Sequence, residues 1–199
     1  MCPSPSRDAS DAPTLVAAVD GLGAPGREDR AAKLVVTAIE RKVPLLDKLA
    51  RATERDRTSG TRLALVRSLE RTFDEIHSEL AALQDPQVGA TLAVAVFTDG
   101  YAHLAHVGAV RGYLLRDGRL RALTTDHTLG MVRVRAGTLS PEAYRASPLR
   151  HRLYQALGTG GTSTSTWRRW CWPTATCCCC APTASTTCST RPRSATACR

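Results

Sequence analysis

Between Thr61 and Leu83 the apolar positions fall at Leu63, Val66, Leu69, Phe73, Ile76, Leu80 and Leu83. Steps of three and four residues keep them on one face, which predicts a helix buried along a single stripe and ended by Asp85-Pro86. The period then changes to two. TLAVAVF (91–97), YAHLAHV (101–107), RGYLLR (111–116) and RLRALT (119–124) predict four strands in close succession. Asp99-Gly100 and Asp117-Gly118 read as hairpin turns, because glycine takes a positive φ without a Cβ clash. Upstream, TLVAAV (14–19) predicts a strand that enters a turn at Asp20-Gly21-Leu22-Gly23. A helix is expected from about Glu28 to Lys42, with Glu28 and Asp29 near its positive end. Pro44 interrupts it before the pattern resumes in LLDKLARATER. A further helical segment runs through MVRVRAGTLSPEAYRASPLRHRLYQAL. Strand, helices, antiparallel hairpins and helix, in that order, predict an α+β layered domain.

Composition changes this picture at one place. The chain has 199 residues, a net charge of +9 and eight cysteines. Seven of those cysteines and all three tryptophans lie after residue 162. From Ser163 to Arg199 only Ser, Thr, Trp, Arg, Cys, Pro and Ala occur. That stretch holds five arginines and no acid, so residues 1–162 carry 22 − 18 = +4. Such a balance is ordinary and gives no reason to expect nucleic-acid binding. No apolar stretch approaches the ~20 residues of a membrane helix. The start, MCPSPSRDASDAP, lacks the basic and then apolar order of a signal peptide. A cytoplasmic protein of one domain, with no membrane or nucleic-acid partner, is expected.

Four ordered motifs give the chain a resemblance. Asp20-Gly21-Leu22-Gly23 before a helix looks like the "DGMGG" turn of the metal-dependent protein serine/threonine phosphatases (PPM, type 2C). Val88-Gly89-Ala90-Thr91-Leu92 looks like that family's "MGTTL" strand start. HVGAVRGYLLRDGRLRALTTDHTL, residues 106–129, is similar to "NVGDSRAYLLRDGKLEQLTTDHSL". AGTLSPEAYRASPLRHRLYQALG is similar to the segment ending in "LTRALG". The resemblance covers roughly residues 8–161 and has a bacterial character. It implies a four-layer α-β-β-α sandwich, incomplete at the C-terminus.

The resemblance also implies a mechanism. Two Mn²⁺ or Mg²⁺ ions, held by aspartates, activate a bridging water that attacks a phosphoserine or phosphothreonine. Hard cations prefer carboxylate oxygen, and two ions stabilise the attacking and leaving oxygens together. Asp20 matches the family's bridging aspartate, and the Gly21 carbonyl matches a ligand reached through water. By itself Asp-Gly is a plain turn; the surrounding motifs favour the metal role.

The rest of the expected site departs from the pattern. Where the family has aspartate in "GDSR", a ligand for an additional metal, this chain has Ala109, and a methyl group coordinates nothing. The family's early "N-x-D" corresponds loosely to Ser6-Arg7-Asp8. The later aspartates, in "SDG" and "GDN", should fall after residue 161, where the chain has no acid. His103 and His106 stand three apart on one strand, face opposite sides and are expected as satisfied strand histidines. Asp126-His127 resembles the family's "DH" and is expected to be structural. Gly158-Thr159-Gly160-Gly161 lacks the P-loop lysine and reads as a loop.

The C-terminal stretch fits neither a zinc site nor a disulfide scaffold. Cys177 and Cys180 form one CxxC, but Cys188 and Cys198 do not form a second, and a secreted context is absent. Out-of-frame translation explains it better. Let each ancestral codon be the last base of one codon plus the first two of the next. Every Cys-Cys step then gives YTG, so Cys178, Cys179 and Cys180 become Leu-Leu-Leu. The steps from Trp170 to Pro173 force Val-Leu-Ala. With G or C at free third positions, the stretch reads VAEVVLADGDVLLLCSDGLHDLL, close to the family's "LADGDRLLLCSDGLTDLL". The missing metal aspartate falls across the codons of Pro182 and Thr183.

These readings divide the chain into a flexible N-terminus (1–13), a truncated phosphatase-like domain (14–161) and a low-complexity, out-of-frame, disordered tail (162–199). Each lost aliphatic side chain removes ~1.5–3 kcal/mol from a total of ~5–15 kcal/mol. An unstable domain with open sheet edges is expected. No catalytic residue other than the metal set is expected. The partner is a phosphoprotein substrate or a regulatory protein, and the chain is expected to be a monomer. Two functions stand: a phosphatase domain inactive as given, or a pseudophosphatase or regulatory binding module without catalysis.

Overall fold

The strand Gly89–Thr98 is buried along nearly all its length because it is covered on both faces. Leu92, Val94 and Val96 belong to the larger core with Val35, Leu69, Phe73 and Ile76, while Ala95 and Phe97 join Leu104, Leu114 and Leu123 in a second core. Alternation along one strand therefore sorts large aliphatic groups toward helices and mostly small ones toward a second sheet.

The computed structural model describes residues 15–56, 58–85, 88–98 and 101–159, and the backbone of strands at 166–171, 176–181 and 187–191. In chain order these are β1 (Leu15–Leu22), α1 (Arg27–Arg55), α2 (Ser59–Ala81), β2 (Gly89–Thr98), β3 (Tyr101–Val107), β4 (Arg111–Arg116) and β5 (Arg119–Ala122). There follow α3 (Leu129–Arg135), α4 (Pro141–Ala146), a 3-10 turn (Pro148–His151), β6 (Thr166–Cys171), β7 (Thr176–Ala181) and β8 (Thr187–Arg191). The strands form two antiparallel sheets, ordered β1-β2-β3-β6 and β5-β4-β7-β8. Helices α1 and α2 pack together, and α1 lies against β1 and β2. Among the described residues no helix broadly covers the second sheet. The α+β fold is thus the expected four-layer α-β-β-α sandwich, incomplete on its C-terminal side.

Several expectations change. The chain does not break at Pro44. α1 runs through it for 29 residues, because Val35, Ile39, Leu46 and Ala50 keep one buried face on both sides of the proline. That burial offsets the missing proline N–H and the ring clash. In α2 the stripe holds from Leu69 to Leu80, but Leu63 is 48% exposed and Leu65 is the buried residue of that turn. The single long helix expected after Met131 is instead α3, α4 and the 3-10 turn. Gly137, at φ 70°, ends the first, and Pro141 and Pro148 restart the chain.

β1 extends further than TLVAAV. Asp20 pairs with Thr91, Gly21 with Ala90 and Leu22 with Gly89, so Asp20 and Gly21 lie in the strand rather than in the turn. The Asp117-Gly118 hairpin is present, with φ of 50° and 71°. Asp99-Gly100 lies outside the described residues, as do residues 1–13 with Asp8, and Gly160-Gly161. Three stretches of the segment expected as a disordered tail are strands: β6 pairs with β3, β7 with β4, and β8 with β7. The main-chain donors and acceptors of β3 and β4 select no particular side chain, and Thr and Trp favour extended backbone. Among the described residues, no helix is long and apolar enough to cross a membrane.

Candidate metal centre

β1 delivers Asp20 to one end of the sandwich. Leu15 and Val19 pack with the helix-side core and Ala18 with the inter-sheet core. By alternation Asp20 faces the second sheet and Gly21 faces α1. Gly21 can only be glycine: a Cβ there would stand 2.0 Å from the Glu28 carbonyl oxygen. The first turn of α1 thus lies directly on the strand that carries Asp20. Asp20 is half-buried, and burial pushes its carboxyl up from the ordinary value. A carboxylate held part-way out of water is a group that a cation would stabilise.

The β3–β4 turn lies close by. Thr91, opposite Asp20, donates its hydroxyl to the Asp20 carbonyl at 3.4 Å. Gly108, at φ 89°, sits so near Thr91 that a Cβ would stand 2.3 Å from the Thr91 Cγ2. The Gly108 N–H donates to His127 Nδ1 at 3.2 Å, which fixes the turn. Ala109 is the next residue, half-buried at the same end of the sandwich.

Behind this turn is a polar network. Arg111 grips Asp126 with two hydrogen bonds, and Tyr144 donates to the same carboxylate at 2.9 Å. The Thr128 hydroxyl shares a hydrogen bond with Tyr144 at 3.0 Å and accepts the Met131 N–H, capping α3. The hydrogen bonds with Asp126 hold Arg111 still more firmly protonated, against its partial burial. Burial, foremost, and the charges of His106 and Arg135 pull His127 down to about 4. Asp126-His127 is a structural pair, as expected.

The other sequence candidates fall into place. His103 and His106 are both buried. His103 Nε2 meets the Thr98 hydroxyl at 3.3 Å, and His106 Nε2 meets the Thr125 carbonyl at 3.0 Å. They bond on different elements. The Gly158 N–H is occupied by His77 Nδ1 at 3.2 Å, which supports reading that glycine as part of a loop.

One feature escaped the pattern. Glu28 reads in sequence as a helix-dipole acid, yet its Oε2 is buried without a hydrogen-bond partner among the described residues. Its place in the first turn of α1, five residues after Gly23, was the available signal. Among the described residues no group of three His, Cys, Asp or Glu could hold a metal ion. Asp20 and Gly21, the residues expected to supply ligands, lie side by side near the end of β1. Among the described residues fewer than three such groups meet here, so those residues do not fit the pair of ions.

Comparison with known proteins bears on the same residues. The family model for protein phosphatase 2C matches residues 4–158. A serine/threonine phosphatase, stp, of Listeria monocytogenes is 34% identical over 98 residues, which are 47% of this chain and 39% of that protein. The serine/threonine protein phosphatase PstP of Mycobacterium tuberculosis is 30% identical over 146 residues, 72% of this chain and 26% of that protein. The chain therefore spans well under half of the curated relatives it matches first. The crystal structure of the Mycobacterium tuberculosis phosphatase PstP/Ppp aligns with a TM-score of 0.64 at 29% identity, over 83% of this chain and 67% of that one. A PstP catalytic domain in complex with two manganese ions aligns with a TM-score of 0.62 at 27% identity, over 84% and 66%. Matched along residues 4–158 and folded as this sandwich, the chain belongs to the protein phosphatase 2C family.

Proposed function

We propose that the chain is a metal-dependent protein serine/threonine phosphatase domain, acting on phosphoproteins in cytoplasmic signalling as a monomer, whose centre is incomplete as given. The observation that carries this reading is the pairing of Asp20 with Thr91 at the sandwich end, where Asp20 is half-buried and Ala109 replaces a carboxylate. Mn²⁺ or Mg²⁺ is the cofactor of this reading, because an all-oxygen donor set suits hard cations. The chain's own part is to hold Asp20 on the strand, pack α1 on Gly21 and keep the 108–110 turn in place.

The strands support an out-of-frame origin for residues 162–199. β7 covers Cys177–Cys180, where the shifted reading places its leucine run, and β6 ends where that reading has Val-Val-Leu. β4 and β7 pair to Arg111 opposite Ala181. Ala109 is two residues beyond Arg111, and the restored aspartate would be two beyond Ala181. β7 also touches β1, the strand of Asp20.

Hydrolysis of p-nitrophenyl phosphate with Mn²⁺ tests the proposal, on the chain as given and on a frame-restored version. Activity only after restoration supports it. Activity from neither favours the second reading, a pseudophosphatase or regulatory binding module, for which Ala109 is the specific observation. Resequencing the gene provides an independent check. Tail codons incompatible with the shifted reading would sink the frame proposal.

A further inference from the structure

The positive charge of residues 1–162 is concentrated in one place. Between Leu129 and Arg152 there are five arginines and one acid, Glu142. Their excess, 5 − 1 = +4, equals the whole 22 − 18 = +4 of residues 1–162, so the remainder is neutral. Arg133, Arg135, Arg145, Arg150 and Arg152 are all exposed. The buried acid beside this segment, Asp126, is already engaged by Arg111 and Tyr144. Arg133, Arg135, Arg145 and Arg152 form no ion pair among the described residues.

Apolar groups are exposed among these charges. Leu129 is 38% exposed, Val132 47% and Tyr154 47%. On α3, Leu129, Val132 and Arg133 share a face at i, i+3 and i+4. The neighbouring backbone carries Arg152 and Tyr154 alongside. The Leu129 N–H donates to the Arg152 carbonyl at 2.7 Å, and the Tyr154 N–H to the His127 carbonyl at 3.0 Å. The segment is anchored rather than loose. Thr128 pairs with Leu153, and Ala90 exchanges two backbone hydrogen bonds with Leu157, at 2.8 and 3.0 Å.

We infer that the face made by Leu129, Val132, Arg133, Arg152 and Tyr154 docks an acidic polypeptide segment that carries an apolar side chain among its carboxylates. Guanidinium groups pair with carboxylates in a planar fork. Leu129 and Val132 reward a side-chain anchor, which the phosphates of a nucleic acid do not offer. The segment is anchored to Gly108 at one end and to β2 at the other, so the face is held in place before anything docks. The inference concerns binding and stands whether or not the chain hydrolyses phosphate.

The experiment uses the full chain and a short fluorescein-labelled peptide of alternating glutamate and leucine, read by fluorescence anisotropy. R133E/R152E should weaken binding about tenfold, the sum of the exposed pairs. R133Q/R152Q should fall between that variant and the parent, with unchanged circular dichroism. R30E/R71E, on the helix layer, should bind as the parent does. Equal losses from the two Glu doubles, no loss from either, equal binding of a glutamine–leucine peptide, or displacement of the peptide by duplex DNA would each overturn the inference.

Discussion

Arg111 and Asp126, fifteen residues apart, meet through two parallel hydrogen bonds: Nε to Oδ1 at 2.7 Å and Nη2 to Oδ2 at 2.5 Å. The carboxylate is buried while the guanidinium remains partly in water. This pair joins the start of β4 to the base of α3, and Tyr144 on α4 closes the ring.

Removing the acceptor should therefore loosen three elements together. Asp126→Ala leaves a half-buried guanidinium and a buried hydroxyl without their partner, at a cost of about 2 kcal/mol. Tyr144→Phe should cost about 1 kcal/mol, and the double variant less than the sum, because both changes break one network. Urea unfolding of the four proteins measures the coupling. Strict additivity would show that the network does not act as a unit.

His127 makes stability depend on pH. Its folded value lies at about 4, below the 6.5 of the exposed group, because burial disfavours the imidazolium. Between these values the unfolded chain binds more protons than the folded one, so stability falls as the pH drops from about 6.5 toward 4. Protonation also removes the Nδ1 lone pair that accepts the Gly108 N–H. The urea midpoint should decline across this window and decline less steeply in His127→Gln. An equal slope in both would assign the effect to other groups.

Gly21→Ala tests the contact between β1 and α1. The added Cβ would stand 2.0 Å from a backbone oxygen, which no rotamer change relieves. A loss of about 2–4 kcal/mol is expected, the range of an overpacked core. Gly118→Ala meets nothing within 4 Å and carries only the strain of its φ of 71°. It should cost about 1 kcal/mol, and thermal melts of the pair separate contact from conformation.

Metal binding should follow the number of carboxylates. At a hundredfold excess over Kd, a cation that binds only the folded state adds about 2.7 kcal/mol. Mn²⁺ should raise the melting temperature of the frame-restored protein, and Asp20→Asn should abolish that rise. The chain as given should show none. A comparable rise in the chain as given would mean that it holds its ions by another donor set.

The regular parts of the fold were legible in sequence because they depend on local period. The strands at 101–107 and 111–116 fall where alternation placed them, and the hairpin at Asp117-Gly118 follows from a turn that only a few residues accept. What escaped was set by distant packing. Pro44 reads as a break, yet a buried face on both sides carries α1 through it. The 131–157 segment kept an apolar content that masked its breakers, Gly137, Pro141 and Pro148. Asp20 was visible as a candidate, but its place inside β1 required the register with Thr91. Nothing local announces that Arg111 will find Asp126, or that Glu28 will keep a buried oxygen unpartnered among the described residues.

β6 pairs with β3 and β7 with β4 through main-chain groups, one N–H and one C=O per residue, proline apart. All three reading frames of a gene encode that same repeating amide. A lost or gained base can erase every side chain of a strand, with its aspartates and its leucines, and still issue a ribbon able to pair at a sheet edge. In this architecture the ladder sets the outline of a domain, and the side chains carried along it set its chemistry.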